Sequence, residues 1–98
     1  MAEPELDEFG LLRFRGRWVA LSPHQEILLR RLLAAAGQVV SRQELAAALW
    51  PEHPDEDRTL DAHVSRLRKR VRPFGVTIHT IRARGFLLAL NRTDNEGP

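Results

Sequence analysis

The stretch RTLDAHVSRLRKRVR, residues 58–72, carries Leu60, Val64, Leu67 and Val71 at helical spacing. At about 100° per residue these four fall in one narrow stripe, the core-facing side of an amphipathic helix. The same geometry puts Arg58, Ala62, Ser65, Arg66 and Lys69 opposite, with Thr59 beside Arg66 and with His63, Arg68, Arg70 and Arg72 on the flanks. Long cationic side chains alternating with small ones suit a helix lying in a DNA major groove. Small residues allow close approach, arginine pairs bidentately with guanine edges, and flanking cations meet phosphates. A solvated basic helix face is the competing reading. Arginine predominates, Lys69 being the single lysine, and its planar fork serves both base edges and phosphates.

The helix is expected from about Asp57 to Arg72, with Glu56, Asp57 and Asp61 at the positive end of its dipole and Pro73 and Gly75 stopping it. Upstream, Ser41-Arg42-Gln43-Glu44 is a capping-box pattern opening a helix at about Arg42 that must stop near Pro51, because the residue before proline disfavours helical geometry. Val39-Val40 reads as an extended connector. Before it, Ser22-Pro23-His24-Gln25 supplies a cap, a proline at the first helical position and a glutamine three after the cap. Ile27, Leu28, Leu32 and Leu33 continue that helix, and Gly37 stands where a left-handed C-cap is wanted. Apolar residues from Phe9 to Leu21 surround Arg15-Gly16-Arg17 as a hairpin would, and Val76 to Leu90 cluster β-formers around Ala83-Arg84-Gly85 as a closing hairpin.

Ninety-eight residues is one domain's worth of chain. The expected layout is an acidic tail over 1–8, a domain over 9–90 and a polar tail over 91–98. All 15 Lys and Arg lie between Phe9 and Arg92 with only seven of the 13 acids, an excess of eight positive charges, so the body calls for a polyanionic partner. With no cysteine there is neither a disulfide framework nor a thiolate zinc site. No apolar run approaches the length of about 20 residues that a membrane span needs, and MAEPELDEFG lacks the layout of a signal peptide. A cytoplasmic location with no membrane partner is the expectation.

The runs LSPHQEILLRRLLAAAGQVVSRQELAAALW, DRTLDAHVSRLRKRV and IHTIRARGFLL together resemble the effector domain of OmpR/PhoB-type response regulators over about Phe9 to Leu90. The resemblance implies an α+β fold: a winged helix-turn-helix with N-terminal antiparallel strands, three helices and a C-terminal β-hairpin wing. It implies a bacterial transcription regulator, sequence-specific on double-stranded DNA, often on direct repeats through tandem or dimeric copies. Carried over residue by residue, Arg66 matches the position that commonly reads bases, and Thr59 and Ala62 match positions at base edges or thymine methyl groups. Arg58, His63, Ser65, Arg68 and Lys69 fall at or beside phosphate positions, as do Arg42, Trp50 and Thr80. Arg82 matches the wing arginine of the minor groove. Trp50 is also open to a plain packing role. The wing departs from the family's Arg-Gly-x-Gly-Tyr, reading Arg82-Ala83-Arg84-Gly85-Phe86. That leaves the turn conformation open and makes Arg84 a further candidate for the minor groove or a phosphate. No phosphoacceptor receiver domain precedes the module in this sequence, which fits an excised effector, a free-standing regulator or part of a fusion.

An enzyme is not expected: His24, His53, His63 and His79 lack ligand-like spacing, no glycine-rich phosphate loop is present, and Ser22 and Ser41 are explained as caps. No cofactor or metal is expected either. The alternative from a different class is a protein-interaction winged helix without specific DNA readout, contacting RNA polymerase, through the acidic turn 51–57, or a partner domain.

Overall fold

The computed structural model describes residues 3–53 and 59–90. Its elements run β1 (Glu5–Leu6), β2 (Leu11–Phe14), β3 (Arg17–Ala20), α1 (Pro23–Ala34), α2 (Arg42–Leu49), α3 (Leu60–Val71), a 3-10 turn (Arg72–Phe74), β4 (Val76–Ile81) and β5 (Gly85–Leu90). This is the α+β order of strands, three helices and hairpin expected from the sequence. β1, β2 and β3 form an antiparallel sheet in that order, and β4 pairs with β5. Phe14 opposite Arg17 leaves the two-residue turn Arg15-Gly16. Both turn residues have positive φ, 53° and 79°, the condition of the I′ turn whose twist matches a hairpin.

Ser22 caps α1 by accepting from the Gln25 backbone N–H while the Gln25 side chain accepts from the Ser22 N–H, closing the capping box with Pro23 in the first turn. Ser41 caps α2 by accepting from the Glu44 N–H, and Trp50 ends the helix before Pro51. The left-handed exit from α1 is shared: Ala35 is still right-handed, and Ala36 and Gly37 then follow at φ 52° and 86°.

Three boundaries differ from expectation. The acidic start is not wholly a tail, since Glu5 and Leu6 pair with Arg13 and Leu12. The turn behind them is held by the Asp7 carboxylate, which accepts from the Phe9 and Leu11 N–H groups. These bonds, the Leu11 one foremost, keep the Asp7 carboxyl below its usual range. The third helix is described from Leu60 rather than from about Asp57. Thr59, at φ −99° and ψ 4°, sits just outside it, while 57 and 58 lie outside the described residues. At the other end α3 stops at Val71, and Arg72 caps it while opening the 3-10 turn, because Pro73 cannot donate the next helical hydrogen bond.

The core draws Leu12 from the sheet, Leu28, Leu29 and Leu32 from α1, Leu45 and Leu49 from α2, and Phe74, Val76, Ile78, Phe86 and Leu88 from the turn and hairpin. Leu60, Val64, Leu67 and Val71 of α3 close it and are buried to within 2%. The helix is therefore turned as its apolar stripe requires, and its polar arc has to face outward.

Val40 does more than connect α1 to α2. It exchanges two backbone hydrogen bonds with Phe86, at 2.8 and 2.9 Å, tying the hairpin to the chain just before the α2 cap. This close approach explains Gly85, whose φ is 146°: a Cβ there would run into the Val40 carbonyl and come within 2.8 Å of the Ser41 Cα. Such a conformation is in practice reserved for glycine.

Candidate nucleic-acid interface

Burial of the α3 stripe leaves Ala62, Ser65, Arg66 and Lys69 exposed on one face, with Thr59 exposed at its start. Among the described residues Arg66 and Lys69 make no ion pair. No described carboxylate therefore neutralises their charge. Arg58 lies outside the described residues.

The flanking residues are more engaged than the sequence suggests. Arg68 is half-buried; its Nε donates to the Ile78 carbonyl and its guanidinium also donates to the Thr80 Oγ1, both at 2.9 Å. Two residues read as phosphate contacts thus bond each other and fasten β4 to α3. The Thr80 hydroxyl remains exposed and keeps its own proton to donate. Arg70 Nη1 donates to the Ala20 carbonyl at 2.6 Å, joining α3 to β3.

Arg42, at the start of α2, donates from Nη1 and Nη2 to the two Asp61 carboxylate oxygens at 2.8 and 3.1 Å. That bond holds the Asp61 carboxyl below its usual range, against a smaller opposing effect of burial. Asp61 therefore does more than sit favourably on the helix dipole: it orients an arginine. The pair is largely in solvent, so its value is positional more than energetic.

Trp50, half-buried and packed on the core, has the packing role that the sequence left open. It also stands 6.0 Å from the His63 ring and 6.3 Å from His24, centroid to centroid. Burial pushes His63 below the ordinary histidine range, helped by the nearby His24 and Arg66.

At the far side, β4 and β5 pair from Val76 opposite Leu90 to Ile81 opposite Gly85, leaving Arg82, Ala83 and Arg84 as an exposed tip. Ala83 adopts the left-handed φ of 64° where the resembled family has glycine. The turn closes through the Arg84 N–H, which donates to the Ile81 carbonyl at 2.9 Å. Among the described residues no group of three or more metal-ligating side chains occurs, and no helix is long and apolar enough to cross a membrane.

The family described as "Transcriptional regulatory protein, C terminal" matches residues 16–88, the sheet hairpin through the wing. The chain belongs to this family. It is 38% identical to the transcriptional regulatory protein CreB of Escherichia coli over 74 residues, 71% of this chain and 32% of that protein. It is also 38% identical to the phosphate regulon transcriptional regulatory protein PhoB of Rhizobium meliloti over 89 residues, 86% of this chain and 39% of that one. It thus spans about a third of the length of these relatives. Among solved structures it resembles the C-terminal domain of the nisin resistance regulator NsrR, with 37% identity, a TM-score of 0.75 and coverage of 86% of this chain and 89% of that one. The Klebsiella pneumoniae RstA DNA-binding domain in complex with the RstA box matches with 30% identity, a TM-score of 0.73 and coverage of 89% and 91%. This is a family of transcriptional regulators, not of enzymes.

Within this family fold, the sequence reading missed Asp61 as a partner of Arg42, Arg70 as a tie to Ala20, and His24 as a neighbour of His63. The Arg70 and Ala20 bond joins residues 50 apart in the chain. No local pattern announces such a contact. His24 was visible only as the residue after Pro23, and its ring meets His63 because α1 packs across α3.

Proposed function

We propose that the chain is a sequence-specific double-stranded-DNA-binding domain of a bacterial transcription regulator, seating α3 in a major groove and the 82–84 tip at the neighbouring minor groove. The observation that carries this reading is the division of α3. Four apolar residues are sealed in the core while Ala62, Ser65, Arg66 and Lys69 face out. A relative of the same fold, RstA, binds its own DNA box. In this reading Arg66, Thr59 and Ala62 meet base edges. Ser65, Lys69, Thr80, His63, Trp50, Arg42 and Arg58 meet the two phosphate walls, while Arg68 both braces β4 and lends charge to a wall. Arg82 and Arg84 meet the minor groove, where a narrow A/T-rich tract strengthens the negative potential. Two copies on a direct repeat form the assembly proposed here, by the family resemblance.

Selection of bound sites from random DNA, followed by anisotropy titration of the winning duplex against salt, tests the proposal. A consensus should emerge, and log K should fall with log salt at a slope of roughly −4 to −6, as expected when about five or six phosphates are neutralised. Recovery of no consensus together with salt-insensitive binding would sink the reading and favour a protein partner.

A further inference from the structure

His24 of α1, Trp50 at the C-terminal cap of α2 and His63 of α3 meet at one edge of the outward face of α3. The two imidazole centroids lie 4.6 Å apart at an interplanar angle of 52°, and both rings are half-buried, so each keeps a side open to solvent. His63 is three residues before Arg66 and so shares its side of the helix. Among the described residues, the charged groups acting on His63 are the His24 imidazole on α1 and the Arg66 guanidinium on α3, whereas α2 faces it with the neutral Trp50 indole. Among the described residues, none of the groups acting on His63 is a carboxylate. An open groove between the start of α1 and α3 is lined by Ser22, Gln25, Arg66, Lys69 and Arg70, and it adjoins the histidine pair through Arg66, three residues on from His63. The groove has the partial positive charge of a helix start on one bank and three cations on the other, of which Arg70 is bonded to the Ala20 carbonyl.

In the free protein this crowding works against a proton on His63, which burial, His24 and Arg66 together hold below the usual range. A phosphate laid along the groove reverses the sign of the local field, since an anion near an imidazole favours its charged form. We propose that His24 and His63 form a proton-coupled clamp for a DNA backbone phosphate beside Arg66, so that DNA binding takes up protons and tightens as the solution acidifies. The inference rests on α3 being the DNA-facing helix, and it adds His24, from α1, to the contact surface. Trp50 serves as the apolar floor that keeps the two rings at contact distance.

Linkage sets the size of the effect. A binding step that takes up one proton changes affinity about tenfold per pH unit, and partial uptake changes it less. Anisotropy titrations of a labelled duplex selected from random DNA, at constant ionic strength, should tighten roughly 3- to 10-fold between about pH 7.5 and about pH 6. In the His24→Gln/His63→Gln double variant that slope should collapse. His79→Gln, which alters an exposed histidine on β4, should retain it. The second readout needs no variant: followed by NMR in the wild-type protein, the His63 ring should titrate at higher pH with DNA than without. A duplex that binds equally at both pH values, a slope that survives in the double variant, or a His63 midpoint unmoved by DNA would overturn the clamp while leaving DNA binding intact. Absence of binding at any pH would remove both.

Discussion

Replacing Gly85 by alanine should unfasten the wing from the body of the domain, and the size of the loss can be worked from the backbone alone. Gly85 sits at φ 146°, where a side chain costs on the order of 1–3 kcal/mol in strain. The added Cβ cannot be accommodated by a side-chain rotation, because what it meets is the Val40 carbonyl and the Ser41 Cα. Relief requires β5 to draw back, which stretches the paired Val40 and Phe86 hydrogen bonds now at 2.8 and 2.9 Å. A backbone group left buried without its partner costs about 1–3 kcal/mol. Together these amount to roughly 3–5 kcal/mol, a large share of the about 5–15 kcal/mol that a domain of this size has. At about 4–8 °C per kcal/mol, thermal denaturation followed by circular dichroism should show a melting point lower by more than about 12 °C. Ala83→Gly, two residues away, should act in the opposite direction. Ala83 already occupies the left-handed region at φ 64°, and glycine there removes about 1 kcal/mol of strain, offset in part by the greater freedom of the unfolded chain. A Gly85→Ala protein melting within about 4 °C of wild type would refute the argument that backbone contact between β5 and the α2 cap dictates glycine here.

Three other outcomes follow from the interface. Arg66→Ala should cost about 1–3 kcal/mol on the best site and flatten preference at one or two base pairs; unchanged affinity and preference across a panel of point-altered duplexes would exclude base reading by this residue. Replacing Arg82 and Arg84 together by alanine should weaken binding most on sites with an A/T-rich flank, which paired titrations on A/T- and G/C-flanked duplexes measure, equal losses arguing against minor-groove contact. Without DNA, the domain should lose stability on acidification. The His63 pKa is lower in the folded state than its ordinary 6.5, so the stability its neutral form supplies is present above that value and is lost as pH falls through the folded one. Melting temperatures from about pH 7.5 to about pH 5 should drop by a few degrees, more in wild type than in His63→Gln, and equal slopes would discount the ring.

What the sequence made legible was what repeats or caps locally. The spacing of Leu60, Val64, Leu67 and Val71 determines which side of α3 is buried. Ser22 with Gln25 marks the start of α1 to the residue, and Gly16 locates the first turn. The acidic start hid a strand because Glu5 and Leu6 become one only by pairing with Arg13 and Leu12; nothing in two residues signals a sheet edge. Val40 likewise reads as linker until Phe86 comes alongside it. At the interface, charge and helical position picked out Arg66 and Lys69, which have no ion pair among the described residues. They could not distinguish these from Arg68 and Arg42, whose guanidinium groups are taken up by Ile78, Thr80 and Asp61. Whether an arginine is already bonded within the domain depends on which carbonyls and carboxylates the fold brings alongside it, and that is a tertiary property.

The fastening of the wing has a consequence for the DNA itself. Arg68 holds β4 to α3, and Val40 holds β5 to the chain entering α2, so the hairpin is anchored along both of its strands. A two-jawed caliper whose jaws cannot slide measures a fixed gauge. If the jaws rest in adjacent grooves, the duplex must supply the matching groove width and helical phase, bending or overwinding where it does not. Base pairs between the jaws, touched by neither, would then still be selected, because their stiffness decides how much that adjustment costs.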